Sequence, residues 1–260
     1  MSKLYFPLLV LFCLSLTNCQ QKNKTVAEGN TASTVAEQSP PKTNVAPGAK
    51  EEWTVLFDGI SGAHWRSYNG EGFPEKGWMV QNGALTLLDK SQGGDIITQE
   101  TYGDFDLELE FNLAKGANSG IFYLIQEIDG KPAYYSAPEY QLIDDADYYE
   151  RAKKEGDLSI TRHHLTGDNY DLQSAPATKK INPVGQWNAA RIKVKDGHVE
   201  HYLNGEKVVE YDLWSPAWKE MIANSKFADW DAYGQAKKGY IGLQDHGNQV
   251  SFRNIRIKRL

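Results

Sequence analysis

The chain has 260 residues and a formal charge of −6, with 7 Trp and 14 Tyr. A nucleic-acid binder is expected to carry a basic face, and none is visible in this acidic sequence. Its two cysteines, Cys13 and Cys19, both lie in the first nineteen residues, so the rest of the chain is neither a disulfide scaffold nor a thiolate metal finger.

Residues 1–19 read as a secretion signal. Lys3 supplies a positive start, Leu4 to Leu16 an apolar stretch too short to span a bilayer as a mature helix, and Leu16-Thr17-Asn18-Cys19 a lipoprotein cleavage box. Asn18 departs from the small residue usual before the cysteine. On this reading Cys19 becomes the lipidated first residue, and a lipid anchor holds the protein to a membrane without any spanning helix. The expected location is the bacterial cell envelope, periplasm-facing or outer-membrane anchored.

Residues 20–49 are rich in Gln, Lys, Asn, Thr, Ser, Pro and Ala, lack aromatic residues and repeat TVAE at Thr25 and Thr34. Such a composition buries too little apolar surface to order itself and is expected to act as a tether. A single domain is expected over residues 50–260.

Within it, period-two alternation dominates. Phe105, Leu107, Leu109 and Phe111 share one face of a strand, and Asp104, Asp106, Glu108 and Glu110 the other. Further strands are expected at Trp187 to Val194, and at His198 to Leu203 with an Asn204-Gly205 turn into Lys207 to Tyr211, a strong hairpin signal. Two stretches break the pattern as short helices, Asp145 to Glu155 and Pro216 to Ala223, the second with proline at a first helical position. Short strands with turn punctuation and little helical periodicity indicate an all-β sandwich of antiparallel sheets.

The chemistry-bearing residues follow in order. Glu110 lies opposite Phe111 and is a candidate to point into a groove. Asn118-Ser119-Gly120 reads either as a strand-starting turn or as a set of groove donors, the turn slightly ahead because Asn and Gly are turn residues. In Glu139-Tyr140-Gln141-Leu142-Ile143-Asp144, Glu139 and Gln141 share a strand face, where a carboxylate beside an amide can take a proton or bind a hydroxyl. Asp144 closes that string and joins the candidates. His163 and His164 lie in a polar loop with Asp168, Tyr170 and Asp171; taken alone they read as solvated, and His201 as structural or groove-lining. At the C-terminus, Ile241 to Gln244 and Val250 to Ile257 flank a Gly- and Asn-rich turn and read as a β-hairpin, bringing Gln244, Asp245, His246 and Arg253 together. There is no His-Glu-x-x-His, no Gly-x-Ser-x-Gly elbow, no phosphate-cradling loop and no dinucleotide fingerprint.

In order along the chain, WTVLFDG (Trp53 to Gly59), GGDIIT (Gly93 to Thr98), YGDFDLELEF (Tyr102 to Phe111), ANSGIFY (Ala117 to Tyr123), EYQLID (Glu139 to Asp144), GQWN (Gly185 to Asn188), HYLNGEKVVEY (His201 to Tyr211) and the segment Gly239 to Leu260 resemble the bacterial 3-keto-disaccharide hydrolase family. The resemblance implies a concanavalin-like jelly roll with a curved ligand groove, and action on glycosides already oxidised at C3. In that scheme Glu139 or His246 is the base and Gln141, Asn118 and Arg253 stabilise an oxyanion or hold hydroxyls, with Gln244 and Glu110 also binding substrate. Tyr170 and Trp65 line the groove. No cofactor is fixed, although a divalent cation held by oxygens and one imidazole is a candidate. The implied partners are an oligosaccharide or glycoside substrate and a sugar C3 oxidoreductase that prepares it. The rival readings are a non-catalytic carbohydrate-binding module and a conventional glycosidase, of which the acidic DFDLELEF is only a loose sign.

Overall fold

Two antiparallel sheets face each other in a computed structural model that describes residues 52–90, 92–156 and 163–260. The signal at 1–19 with Cys19, and the tether at 20–49, lie outside the described residues. The described residues belong to one unit, Ala46–Leu260.

The strands are β1 (Thr54–Phe57), β2 (Trp65–Ser67), β3 (Trp78–Gln81), β4 (Ala84–Leu87), β5 (Ile96–Thr98), β6 (Phe105–Leu113), β7 (Asn118–Ile125), β8 (Glu139–Ile143), β9 (Asn188–Lys195), β10 (His198–Leu203), β11 (Glu206–Asp212), β12 (Tyr240–Leu243) and β13 (Val250–Arg259). The larger sheet runs β11-β10-β9-β6-β13-β4-β3, with β1 also on β13; the smaller runs β2-β5-β12-β7-β8. This is the expected all-β jelly roll.

Alternation built the larger sheet. Phe105, Leu107, Leu109, Phe111 and Leu113 of β6 are buried in the core with Ile192, Val194, Phe252 and Ile257, while Glu108 and Glu110 face outward. The Asn204-Gly205 turn closes β10 onto β11 with Leu203 opposite Glu206, both turn residues at positive φ, as a tight two-residue hairpin turn requires. Helices α1 (Asp145–Glu155) and α2 (Pro216–Ala223) form where expected; Ser215 caps α2 by accepting from Trp218 N.

The C-terminal segment is not a hairpin. β12 pairs with β5 and β7 in the smaller sheet, whereas β13 pairs with β6 and β4 in the larger, so the intervening turn crosses between sheets. Within β13 the register shifts between Arg253 and Arg256 around Asn254, whose φ is +53°. This bulge lets Phe252 and Ile255, three apart, both face the core.

The smaller sheet is covered on both faces. Its inner face carries Ile121, Tyr123, Tyr140 and Leu142 into the main core. On its outer face Ile97, Phe122 and Ile125 pack with Ala133 and Ala137 from the loop 126–138, and that loop leaves the β8 side of the sheet open to a cavity.

Candidate active site

A cavity of about 350 Å³ lies on the outer face of the smaller sheet, at the low end of the ~300–1,000 Å³ typical of small-molecule sites. The sheet supplies Asn118, Glu139 and Gln141, and the turn after β12 supplies Gln244 and His246. The loop segments 126–138 and 224–239 supply a wall that includes Tyr134, Phe227, Trp230 and Tyr233, while Tyr170 and Lys226 complete it.

Glu139 is central. Its residue is 5 % exposed, and no protein donor among the described residues hydrogen-bonds its carboxylate. Burial pushes its pKa up to about 8; the Lys226 ammonium opposes this and the Asp95 charge adds to it. The side chain lies across β7 at Gly120, the one position of that strand where no Cβ stands in its way. Gln141, two residues on, shares its face and donates from Nε2 to Asn118 Oδ1 at 2.9 Å. Asn118, Ser119 and Gly120 are strand residues, not a turn; Ser119 points away from the cavity and donates to Gln244 O at 2.9 Å.

The turn after β12 is held by carboxylates. Asp245 Oδ2 accepts from Gly94 N and Oδ1 from Gly247 N, while Asp245 N donates to Asp95 Oδ1 at 2.9 Å. Burial raises Asp95 to about 6. These bonds set Gln244 and His246 at the cavity. Gln244 and Tyr233 both line the cavity, and Gln244 Oε1 and the Tyr233 hydroxyl are buried with no hydrogen-bond partner among the described residues.

Lys226, which no sequence motif marks, donates to the Tyr170 hydroxyl at 2.8 Å with its ammonium 4.0 Å from the Tyr170 ring centre. Loss of hydration lowers its pKa, against the pull of Asp171 and Glu139. Burial raises the Tyr170 pKa, and the neighbouring Glu139 and Asp171 charges add to that, so Tyr170 is held as a neutral phenol. His164 backs this group, with Nε2 3.1 Å from Asp171 Oδ1, Nδ1 3.1 Å from Tyr148 Oη, and its ring 4.9 Å from that of Tyr170. It is thus part of the wall's support rather than a solvated loop histidine. His201 is fully buried beneath β7 and β8: its Nδ1 donates to Gly167 O at 3.2 Å, so Nε2 accepts from the Tyr123 hydroxyl at 2.9 Å.

Four candidates lie elsewhere. Arg253 Nε donates to Glu110 Oε2 at 2.6 Å on the outer face of the larger sheet, on the far side of the core from the cavity. The entry of β13 into the larger sheet, with ordinary alternation after the inward Phe252, puts Arg253 there. Trp65 is wholly buried in the core, its Nε1 donating to Leu56 O at 3.0 Å. Asp144 accepts from Gly116 N and from Asp147 N, so it ties down the start of α1.

A larger recess of about 670 Å³ lies on that outer face of the larger sheet. Its two arginines are spent on ion pairs: Arg256 with Glu108 at 2.6 Å and Arg191 with the buried Asp106 at 2.7 Å. The smaller cavity, with unpartnered polar atoms and a perturbed carboxyl, has the stronger chemical case. Among the described residues, one group of three His or acidic side chains has ligand atoms in mutual reach, His198, Glu200 and Glu210, and Lys207 bonds both of its carboxylates. In the cavity, Glu139 and His246 are the acidic and imidazole side chains among the lining residues, beside the amides of Asn118, Gln141 and Gln244.

A jelly roll with a buried carboxyl, amides and aromatic rings around a cavity on its outer sheet face has the groups that a carbohydrate-active protein uses on a sugar. The sequence profile of the 3-keto-α-glucoside-1,2-lyase-like domain matches residues 52–258, and the chain belongs to that family. It is 34% identical to a 3-keto-disaccharide hydrolase of Bacteroides thetaiotaomicron, with all of both chains covered. Among solved structures it is similar to a Parabacteroides distasonis protein carrying a provisional glycosyl hydrolase assignment, with 32% identity, 80% of this chain and 94% of the other covered, and a TM-score of 0.68. A second structure from the same species, with the same provisional assignment, gives 29% identity, 80% and 100% coverage, and a TM-score of 0.60.

Proposed function

We propose that the protein cleaves glycosides oxidised at C3, by proton abstraction at C2, β-elimination of the group on C1 and addition of water. The observation that carries this is Glu139: a buried carboxyl lining the cavity, with a pKa of about 8 and no hydrogen bond to its carboxylate from the described residues. A carboxylate made basic by burial suits removal of a carbon-bound proton near neutral pH. A C3 ketone acidifies the C2 hydrogen. Glu139 takes that proton, the electron pair forms the C1–C2 double bond through the enolate, and the C1–O bond breaks. The carboxyl then passes its proton to the leaving oxygen. In the hydration half, water adds its hydroxyl to C1 and C2 regains a proton, with Glu139 again relaying it, so the net reaction is hydrolysis.

The enolate oxygen needs a donor. The Tyr170 phenol fits this, since Lys226 already donates to its oxygen and leaves its O–H for the substrate. Gln141, Asn118 and Gln244 supply the amide groups that sugar hydroxyls need, and His246 remains an alternative base on the cavity rim.

The test is product analysis by NMR in D₂O after incubating the protein with the 3-keto derivative of a glucose disaccharide and, separately, with the unoxidised sugar. Cleavage of the keto-sugar alone with deuterium at C2 is expected. Cleavage of the unoxidised sugar would favour a conventional glycosidase; binding without cleavage of either would favour a carbohydrate-binding module.

Two wider proposals accompany this reading. A sugar C3 oxidoreductase supplies the substrate, because elimination needs the ketone in place. Lipidation at Cys19 anchors the protein in the cell envelope, supported by the apolar run and cleavage box that precede it; labelling with a fatty-acid analogue, lost in Cys19→Ala, tests it.

A further inference from the structure

The cavity is chemically polarised along β8. On one side of Glu139, toward Gln141, stand the amides: Gln141 bonds Asn118, and Gln244 N donates to Gly120 O in the neighbouring strand at 3.0 Å. On the other side, toward Ala137 and the loop before it, stand rings. Tyr134 and Trp230 both line the cavity with ring centres 5.8 Å apart, and Phe227 meets Trp230 edge-on at 5.0 Å.

The aromatic side is built in advance. Trp230 is stacked on Tyr135 at 5.3 Å and tilted against Tyr134, so it packs on two consecutive tyrosines of the loop 126–138. The Tyr135 hydroxyl donates to Asp231 Oδ1 at 2.9 Å, which ties that loop to the segment carrying Trp230, and the Lys131 ammonium lies 4.4 Å from the Tyr135 ring centre. Tyr134 alone of these rings is a large exposed side chain, 43 % exposed at the mouth. An aromatic face left open to water beside a catalytic carboxyl, and fixed in place before any ligand arrives, is suited to a flat or apolar partner that stacks on it.

We infer that Tyr134 and Trp230 form the leaving-group subsite: the keto-sugar ring occupies the amide side with C1 and C2 over Glu139, and the group expelled from C1 rests on the rings. The class of substrate this selects is glycosides whose aglycone presents a flat apolar face, an aryl group or the face of a second pyranose, over glycosides of small alcohols. The inference rests on the keto-glycoside reading for the direction of cleavage; the stacking surface itself does not.

The test compares the 3-keto derivatives of phenyl and methyl α-glucoside as substrates of the full chain. Phenoxide is intrinsically the better leaving group, so the informative quantity is how the phenyl-to-methyl ratio of kcat/KM changes on mutation. Tyr134→Ala should lower that ratio about tenfold, mainly through KM for the phenyl substrate, and Tyr134→Phe should restore it, because the phenolic oxygen is not needed for stacking. A ratio within twofold of wild type in Tyr134→Ala, with both substrates turned over, overturns the subsite and leaves the keto-glycoside reading standing. Turnover of neither substrate by the wild type, with the 3-keto disaccharide also left intact, overturns the keto-glycoside reading instead. The subsite is then decided by titrating tryptophan fluorescence with unoxidised phenyl and methyl α-glucoside: tighter phenyl binding that Tyr134→Ala abolishes supports it, and equal binding of the two overturns it.

Discussion

Glu139 and Gly120 occupy the same space on the outer face of the smaller sheet: a Cβ built on Gly120 would overlap Glu139 Oε1 and stand 2.7 Å from its Cδ and 2.8 Å from its Cγ. The carboxyl is therefore aimed by the absence of a side chain on the neighbouring strand. Gly120→Ala is expected to move the carboxylate rather than the sheet, because the colliding atoms belong to a flexible side chain. Activity should fall roughly 100-fold, as misplacement of about 1 Å can cost that much, while the circular dichroism spectrum is retained. Near-wild-type kcat in Gly120→Ala would show that Glu139 need not lie where it does.

The pH dependence of kcat/KM should carry the same carboxyl. Glu139 acts as a base only when ionised, so activity should rise with pH and level off above about 8. Lys226→Met removes a cation that favours the ionised form and should shift this limb to higher pH; Asp95→Asn removes a repelling charge and should shift it lower. Stability runs the other way. Between the ordinary value of 4.5 and about 8 the folded chain holds a proton that the unfolded chain has lost, so folding weakens as pH rises through that window. Glu139→Gln should be inactive and should lack this part of the slope in Tm against pH. Movement of the activity limb in the same direction in both charge variants would remove Glu139 from the role of base.

Much of the fold was legible because alternation and turn chemistry are local: β6, the Asn204-Gly205 hairpin and both helices form where the pattern places them. The crossing at residues 244–249 was not. Two alternating runs around a Gly-Asn turn look the same whether they pair with each other or enter different sheets, since alternation reports a buried face and not the partner. One signal was present: Phe252 and Ile255 are three apart, which breaks period two and calls for a bulge between them. At the site, Glu139 and Gln141 could be read from one strand. Lys226 and Trp230 could not, because each is a single residue in a loop whose place depends on contacts with residues far away in sequence.

Arg253 and Glu110 supply a contrast to the cavity. Their ion pair lies on the outer face of the larger sheet, and Arg253 also stacks over Trp187 at 4.0 Å from the ring centre. Both members are about one third exposed, with side chains at 38% and 31%, and partly exposed pairs contribute about 0–1 kcal/mol. Arg253→Ala and Glu110→Ala should therefore keep kcat/KM within twofold and lower stability by no more than about 1 kcal/mol. A loss of activity in either, without loss of fold, would mean that the outer face of the larger sheet takes part in turnover.

His201 links the core to the strands that carry the site. The Tyr211 and Tyr123 hydroxyls are hydrogen-bonded to each other, Tyr123 donates to His201 Nε2, and His201 Nδ1 donates to Gly167 O, so the imidazole is neutral and both nitrogens are used. Burial lowers its pKa from 6.5 to about 4. Between those values the unfolded chain takes up a proton that the folded chain refuses, so stability falls as pH drops from 6.5 toward 4, by about 3 kcal/mol if the whole shift is realised. His201→Phe should be less stable at pH 7, because it leaves the Tyr123 hydroxyl and Gly167 carbonyl short of a partner. It should also lose less stability than the wild type on acidification over that window. Urea melts of both proteins at pH 7 and pH 4.5 measure the difference, and parallel losses on acidification would mean that another group sets the acid sensitivity of the fold.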